Sequence, residues 1–331
     1  MSLRTDSSTA LAGAPPRVKP TWQAHLQIAR IDHWVKNVFV LPGAVVALSM
    51  DPDRLDGGLW VRAAVGLLAV GLIASSNYVV NELLDAPYDR QHPLKRRRPA
   101  ASGLVHVPLA YGQWLLLMVA GLLLGRMVST AFAATMLALW VMGCLYNIPP
   151  FRSKDVPYVD VLSEAVNNPL RMLAGWYVVG TDLVPPVSLL VSYWMVGCYF
   201  MAIKRFAEFR EIGDATRSAA YRRSFAYYTE QRLLVSIMFY GSHAMLFFGA
   251  FIMRYRLELI LAFPAVALVM AVYLSLAFKA DSAVQRPEGL HAEPALMASV
   301  AVCAVLMATL LFVDVPVLDR IFTPTPIAGA R

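Results

Sequence analysis

Cysteine is scarce in this chain: Cys144, Cys198 and Cys303 are the only three among 331 residues, each inside an apolar stretch. That leaves no disulfide framework and no His/Cys spacing for zinc, so all three read as small packing residues. Charge is scarce too, at 15% of residues against 58% hydrophobic, and the mean hydropathy is +0.55. A soluble globular protein does not have that balance. Period-two alternation is also lacking. "VGLLAVGLIA" and "MLALWVMGC" are apolar on every side, which argues against spanning strands and for helices. No apolar core precedes Val38, so no cleavable signal peptide is evident, and the Ser/Pro/Arg-rich residues 1–28 read as a disordered cytoplasmic leader.

What the chain does have is long oily runs. Nine stretches, at roughly 37–50, 59–81, 107–125, 128–146, 159–180, 185–203, 233–253, 256–279 and 294–314, are long enough or nearly so to cross about 30 Å of hydrocarbon. The first is short and the fifth is unusually polar. The expected architecture is an all-α, polytopic membrane bundle over 29–315, with a tail at 316–331. With the N-terminus inside, the segments 1–37, 82–106, 147–158, 204–232 and 279–293 carry 21 of the 29 Lys and Arg residues. This distribution orients the bundle in the cell (inner) membrane with a cytoplasmic N-terminus, although Arg254 and Arg256 fall on the wrong side. The net charge of +7 then reflects topology and anionic ligands, with no nucleic acid among the expected partners. The oligomeric state is not legible.

The remaining charge is concentrated. "NELLDAPYDRQHPLKRRRP" packs three carboxylates and five cations into residues 81–99. Asn77, Asn81, Asp85 and Asp89 recur every four residues with Glu82 beside Asn81, which lines oxygens along one slowly drifting helix face. Asn81, Glu82, Asp85 and Asp89 are hard oxygen donors of the kind that suits Mg²⁺ shared with substrate phosphate. Arg90, His92, Lys95, Arg96, Arg97 and Arg98 follow at once, supplying cations for a diphosphate. A plain positive-inside loop explains the arginines, but it does not explain amides and a carboxylate within a span, where polar groups are costly.

A second constellation lies in the fifth stretch. Asp160, Glu164, Asn167, Asn168 and Arg171 fall on one helical stripe among Val, Leu, Met and Ala, and should line the same cavity. A polar network that only holds the bundle together is the competing reading. Tyr146, Arg152 and Lys154 add donors just before it. The third charged segment, 204–232, has seven cations including Lys204 and Arg205. It suits either anionic lipid headgroups or a phosphate.

These motifs resemble the UbiA superfamily of intramembrane prenyltransferases. "NELLDAPYDRQHPLKRRRPAASG" is similar to its Asn-Asp-x-x-Asp-x-x-x-Asp signature and basic segment, and Lys154 to Asp160 to its second motif. The resemblance implies nine helices, a lateral opening to lipid, and an active site capped by the loops after spans two, four and six. Within that superfamily the sequence most resembles the decaprenyl-phosphate phosphoribosyltransferases, through "HWVKN" at 33–37, residues 89–103, Asp160 with Arg171, "KRFAE" at 204–208 and "YRRSFAYYT" at 221–229. The implied reaction is Mg²⁺-dependent transfer from 5-phosphoribosyl diphosphate to a polyprenyl phosphate. Asn81, Asp85, Asp89 and Asp160 would form its catalytic core. Lys95 and Arg98 would neutralise the diphosphate, Lys36 and Lys154 would meet the lipid headgroup, and Lys204, Arg205 or Arg171 the 5-phosphate. Glu82 stands where the signature has Asp. The polar stripe, with Glu164, Asn167 and Asn168, keeps open a prenyl diphosphate donor and a small aromatic acceptor such as 4-hydroxybenzoate. A carrier for a phosphorylated lipid is the third possibility, weakened by the absence of an internal repeat.

Overall fold

The computed structural model describes residues 19–90, 95–285 and 287–322. Residues 1–18 of the expected leader and His92 of the basic run therefore lie outside the described residues. Among those described there is no strand. Among the described residues, eight helical segments are long and apolar enough to cross a membrane. The first runs from Trp22 to Met50, much longer than the 37–50 expected, because α1 (Trp22–Ile28) is joined to α2 (Leu41–Met50) by a 3-10 stretch, Ile31–Val40. The last seven residues of the expected leader are thus helical. Thr21 caps α1 by accepting the Ala24 amide at 3.2 Å, and buried His25 is clasped by Gln113, whose Nε2 donates to the His25 carbonyl at 2.9 Å.

The other long helices are α3 (Leu59–Asp89), α4 (Val107–Val128) and α5 (Thr130–Asn147), then, beyond the polar stripe, α8 (Val187–Ile212) and α10 (Glu230–Tyr255). They end with α11 (Phe263–Leu276), extended by a preceding 3-10 turn, and α12 (Pro294–Phe312). The polar fifth stretch is not among the eight. It is split into α6 (Val159–Ala165) and α7 (Asn167–Val179) around Val166. Pro169 has no amide hydrogen, and its ring would collide with the Ala165 carbonyl of a continuous helix, so the break falls just before it. The pair still runs from one end of α3 to the other. Lys154, just before α6, reaches Asp85 at 2.6 Å. At its far end Arg62 donates to the Val178 and Val179 carbonyls at 3.1 and 3.2 Å. Arg62 and Asp85 are about 35 Å apart along α3 at 1.5 Å per residue.

α3 is the central post, packed against α4, α5 and α7. One apolar core gathers Ile73, Phe132, Met136, Trp176 and Phe251, and a second gathers Ile203, Phe206, Leu233 and Tyr240 between α8 and α10. Large apolar residues such as Leu116, Val235, Leu246 and Val305 face outward, as a lipid-facing surface requires. The bundle is a multi-pass membrane protein. At the end away from Asp85, charges are paired with one another: Arg54 with Asp182 at 2.8 Å and Arg256 with Asp314 at 2.7 Å. That pairing accounts for Arg256, one of the two cations that break the charge pattern of the sequence. The short helix α9 (Ala215–Tyr221) lies in the loop after α8, and α13 (Pro316–Ile321) makes part of the expected tail helical.

α2 and α7 cross almost in backbone contact. A Cβ on Gly175 would lie 1.9 Å from the Val40 carbonyl oxygen, and one on Gly43 1.8 Å from that of Met172. Gly175→Ala is therefore expected to lower stability by about 1–3 kcal/mol, read as a lower melting temperature in detergent. Gly249→Ala, on a helix face with nothing within 4 Å, should leave it unchanged or slightly raised.

Candidate active site

The two polar constellations of the sequence meet at one end of the bundle. α3 brings Asp85 there, and the turn after α5 brings Arg152 and Lys154. Both cations converge on the same carboxylate oxygen: Lys154 Nζ donates to Asp85 Oδ1 at 2.6 Å and Arg152 Nη2 at 2.9 Å. Lys154 also donates to Asn147 Oδ1 at 2.8 Å, and Asn81 donates to that same oxygen. Asn147 is buried and anchored by its own bond to the Gly143 carbonyl at 2.9 Å. It was not singled out from the sequence, although it ends an otherwise apolar helix. Burial drives the Lys154 ammonium down to about 8, against the pull of Asp85.

Tyr146 joins this cluster to the second. Its ring lies 5.8 Å from Lys154 Nζ, its hydroxyl donates to Glu164 at 2.8 Å, and it accepts from Arg222 at 3.0 Å. Glu164 in turn takes Arg205 Nη2 at 2.7 Å. Asp160 is fully enclosed, bonded by Tyr228 at 2.6 Å, Ser224 at 3.2 Å and Arg205 at 3.4 Å, with Arg222 at 3.6 Å. Both of its oxygens are occupied by protein donors, so here it meets the rest of the site through the two arginines beside it. Arg205 is held by Asp160, Glu164 and Glu208 together. Lys204 makes no ion pair among the described residues, but lies near enough to act on Glu164 and Glu208. Burial and neighbouring Arg205 oppose charge on Arg222, yet Tyr146, Asp160 and Glu164 hold its guanidinium above the ordinary value. Tyr228, Ser224 and Arg222 come from a loop that in sequence showed only cations and aromatics.

The basic loop closes on α3 from the other side. Arg98 Nη1 meets Asp89 Oδ2 at 2.8 Å, and Arg90 Nε donates to the Ala101 carbonyl at 3.2 Å. Lys95 Nζ lies 4.8 Å from the Tyr221 ring, and burial together with Arg98 pushes its ammonium down. Lys36 lies on the 3-10 stretch after α1, partly buried.

The Mg²⁺ donor set expected from the sequence separates here. Glu82 is buried and turned to the Ala100 amide at 3.3 Å and Arg30 Nε at 3.6 Å, a clamp between α3, the basic loop and the N-terminal segment. Asn81 is engaged by Asn147, and Asn77 Nδ2 donates across to the Leu139 carbonyl at 3.0 Å. Asp85 Oδ2 and Asp89 Oδ1 have no protein partner among the described residues, where no preformed group of three metal-binding side chains exists. Two carboxylates with one open oxygen each fit an ion that completes its shell with water and substrate oxygens. Asn167 and Arg171 lie further along the stripe. Asn167 Nδ2 turns back to the Glu164 carbonyl at 3.0 Å.

The buried network has a stability consequence. Asp160→Asn takes the buried counter-charge from Arg222 while Arg205 keeps Glu164 and Glu208, and should cost about 2–3 kcal/mol, whereas Tyr228→Phe removes one hydrogen bond and should cost about 1 kcal/mol. Melting temperatures of the two variants in detergent check the order.

The UbiA prenyltransferase family matches residues 38–292. The decaprenyl-phosphate phosphoribosyltransferase of Mycolicibacterium smegmatis is 30% identical over 211 residues, 63% of each chain. That of Mycobacterium tuberculosis is 31% identical over 201 residues, 60% of this chain and 64% of the relative. The chain thus matches somewhat under two thirds of the length of these relatives. A solved UbiA homolog from Archaeoglobus fulgidus, bound to DMAPP and Mg²⁺, superposes with a TM-score of 0.65 at 19% identity, covering 85% of this chain and 99% of the homolog. By the span of the family match and the shared fold, the chain belongs to the UbiA prenyltransferase family.

Proposed function

We propose that this protein transfers the phosphoribosyl group of 5-phosphoribosyl diphosphate to a polyprenyl phosphate, decaprenyl phosphate, with Mg²⁺ at the cytoplasmic face of the inner membrane. The observation that carries this reading is the convergence of Lys154 and Arg152 on one oxygen of Asp85, at a bundle end where Asp89 and Arg98 also pair. Open carboxylate oxygens amid cations suit a metal-bound diphosphate. The 30–31% identity to relatives named for the decaprenyl-phosphate reaction supports the choice of donor and acceptor. The cytoplasmic orientation is supported by the Lys and Arg distribution of the sequence.

Asp85 and Asp89 would hold the ion, and Mg²⁺, when bound, supplies charge neutralisation for the departing diphosphate. The chain's own cations do the rest. Breaking the C1–O bond leaves its electron pair on the diphosphate and positive charge at C1. Lys154, Arg152 and Arg98 stand where negative charge grows, which is where stabilisation lowers the barrier. The lipid phosphate oxygen then forms the new bond to C1. That oxygen is already ionised near neutral pH, so no general base is required and no proton moves. The lipid tail stays in the bilayer while its headgroup meets the cations of the site, with Lys36 as a candidate contact.

The test is transfer of label from 5-phosphoribosyl diphosphate to decaprenyl phosphate by purified protein in detergent. A labelled lipid should form, disappear on chelation, return with Mg²⁺, and fall about a hundredfold or more in Asp85→Asn. No labelled lipid from folded protein overturns the reading. The DMAPP in the Archaeoglobus homolog favours a second reading, prenyl transfer from a diphosphate to an aromatic acceptor. Prenylated 4-hydroxybenzoate in a parallel reaction would establish it instead. Turnover in detergent, without a second compartment, removes a carrier.

A further inference from the structure

Arg30, Arg98, Arg152, Lys154, Arg205 and Arg222 each meet a carboxylate of the chain itself. Arg171 does not. Its Nε is buried without a hydrogen-bond partner, and among the described residues no carboxylate lies within 4.0 Å of its guanidinium. The ionisable side chains that act on it are two phenols, Tyr78 on α3 and Tyr193 on α8, and Asn167 stands one turn before it on α7. The Asn167 Oδ1 atom is likewise buried and unpartnered.

Arg171 is seven residues beyond Glu164 along the stripe, about 10 Å further inward at 1.5 Å per residue. A cation without a counter-charge inside a membrane bundle is costly, and such residues mark the path of a charged substrate. A planar guanidinium with a buried, unpartnered N–H suits an anion with several acceptor oxygens, above all a phosphate.

From this geometry we infer that Arg171 is the centre of a second anion subsite about 10 Å inward of Glu164, which takes the phosphate monoester of a substrate. The inference rests on the proposed reaction for its two sources, the 5-phosphate of the donor and the phosphate of the polyprenyl acceptor. It divides the site by charge: the diphosphate lies at the carboxylate end, the monoester at the arginine. Of the three residues that the sequence offered for the 5-phosphate, Arg205 is already held by three carboxylates, and Lys204 lies at the Glu164 level.

The test is a binding titration on the full-length protein in detergent, following the melting temperature with ribose 5-phosphate or decaprenyl phosphate as probe. One probe should stabilise the wild type, and Arg171→Gln should weaken its apparent Kd by about tenfold to a hundredfold. Arg171→Lys, which keeps a point charge but loses the fork, should fall between, and it replaces Arg171→Gln if that variant does not fold. A response to ribose 5-phosphate assigns the subsite to the donor, and a response to decaprenyl phosphate assigns it to the acceptor. Equal affinity in wild type and variants, no response to either probe, or a response to 4-hydroxybenzoate alone overturns the subsite. Wild type that makes the labelled lipid while the variants bind normally removes the subsite and leaves the reaction. Wild type that makes none but binds through Arg171 does the reverse.

Discussion

The Asp85–Lys154 contact is the constraint on which the site depends. It ties the last turns of α3 to the turn after α5, and Asn147 fixes the lysine from below, so three backbone segments share one charge cluster. Such a cluster is unstable without partners where it sits, because desolvating a carboxylate and an ammonium at a membrane boundary costs several kcal/mol per ion. The second cation, Arg152, and the amide oxygen of Asn147 offset that cost. The arrangement leaves one oxygen of Asp85 open, and that open oxygen gives the cluster its chemistry.

From this point the polar network extends sideways and inward. Tyr146 connects the lysine to Glu164, and Glu164 connects to Arg205, which Asp160 holds from the enclosed side. The result is a graded environment. Buried ion pairs lie behind the site, half-satisfied carboxylates face its mouth, and Arg171 stands deeper within the bundle. The opposite end of the molecule has a different character, since its arginines and aspartates are paired mainly with one another. Charge in this protein is therefore of two kinds, and the difference lies in which partners the fold supplies.

Much of this was legible in the sequence. Spacing by four from Asn77 to Asp89 gives the helix face, the stripe from Asp160 to Arg171 gives the second, and the motifs give the family. Periodicity reports which residues share a face, but not what lies opposite. Hence Glu82 reads as one more metal oxygen beside Asp85, whereas the basic loop and Arg30 fold over it. Asp160 has the look of a catalytic acid because Tyr228 and Ser224, which enclose it, are more than sixty residues away. The fifth stretch is also instructive. Its polarity fails a hydropathy test, yet the turn that leads into it and its far end touch opposite ends of α3, and neighbouring helices rather than lipid receive its polar side chains. The ordered segment from Trp22 is missed for a simpler reason: its anchors, Gln113 and Leu104, belong to distant parts of the chain.

The most direct measurement is a double-mutant cycle between Asp85→Asn and Lys154→Met, read as the apparent affinity for the diphosphate donor in the presence of Mg²⁺. If the pair assembles the site as one unit, the two losses should not add, with a coupling of about 1.5 kcal/mol or more. Losses that add to within about 0.5 kcal/mol would mean that the two side chains act independently, and would contradict the account.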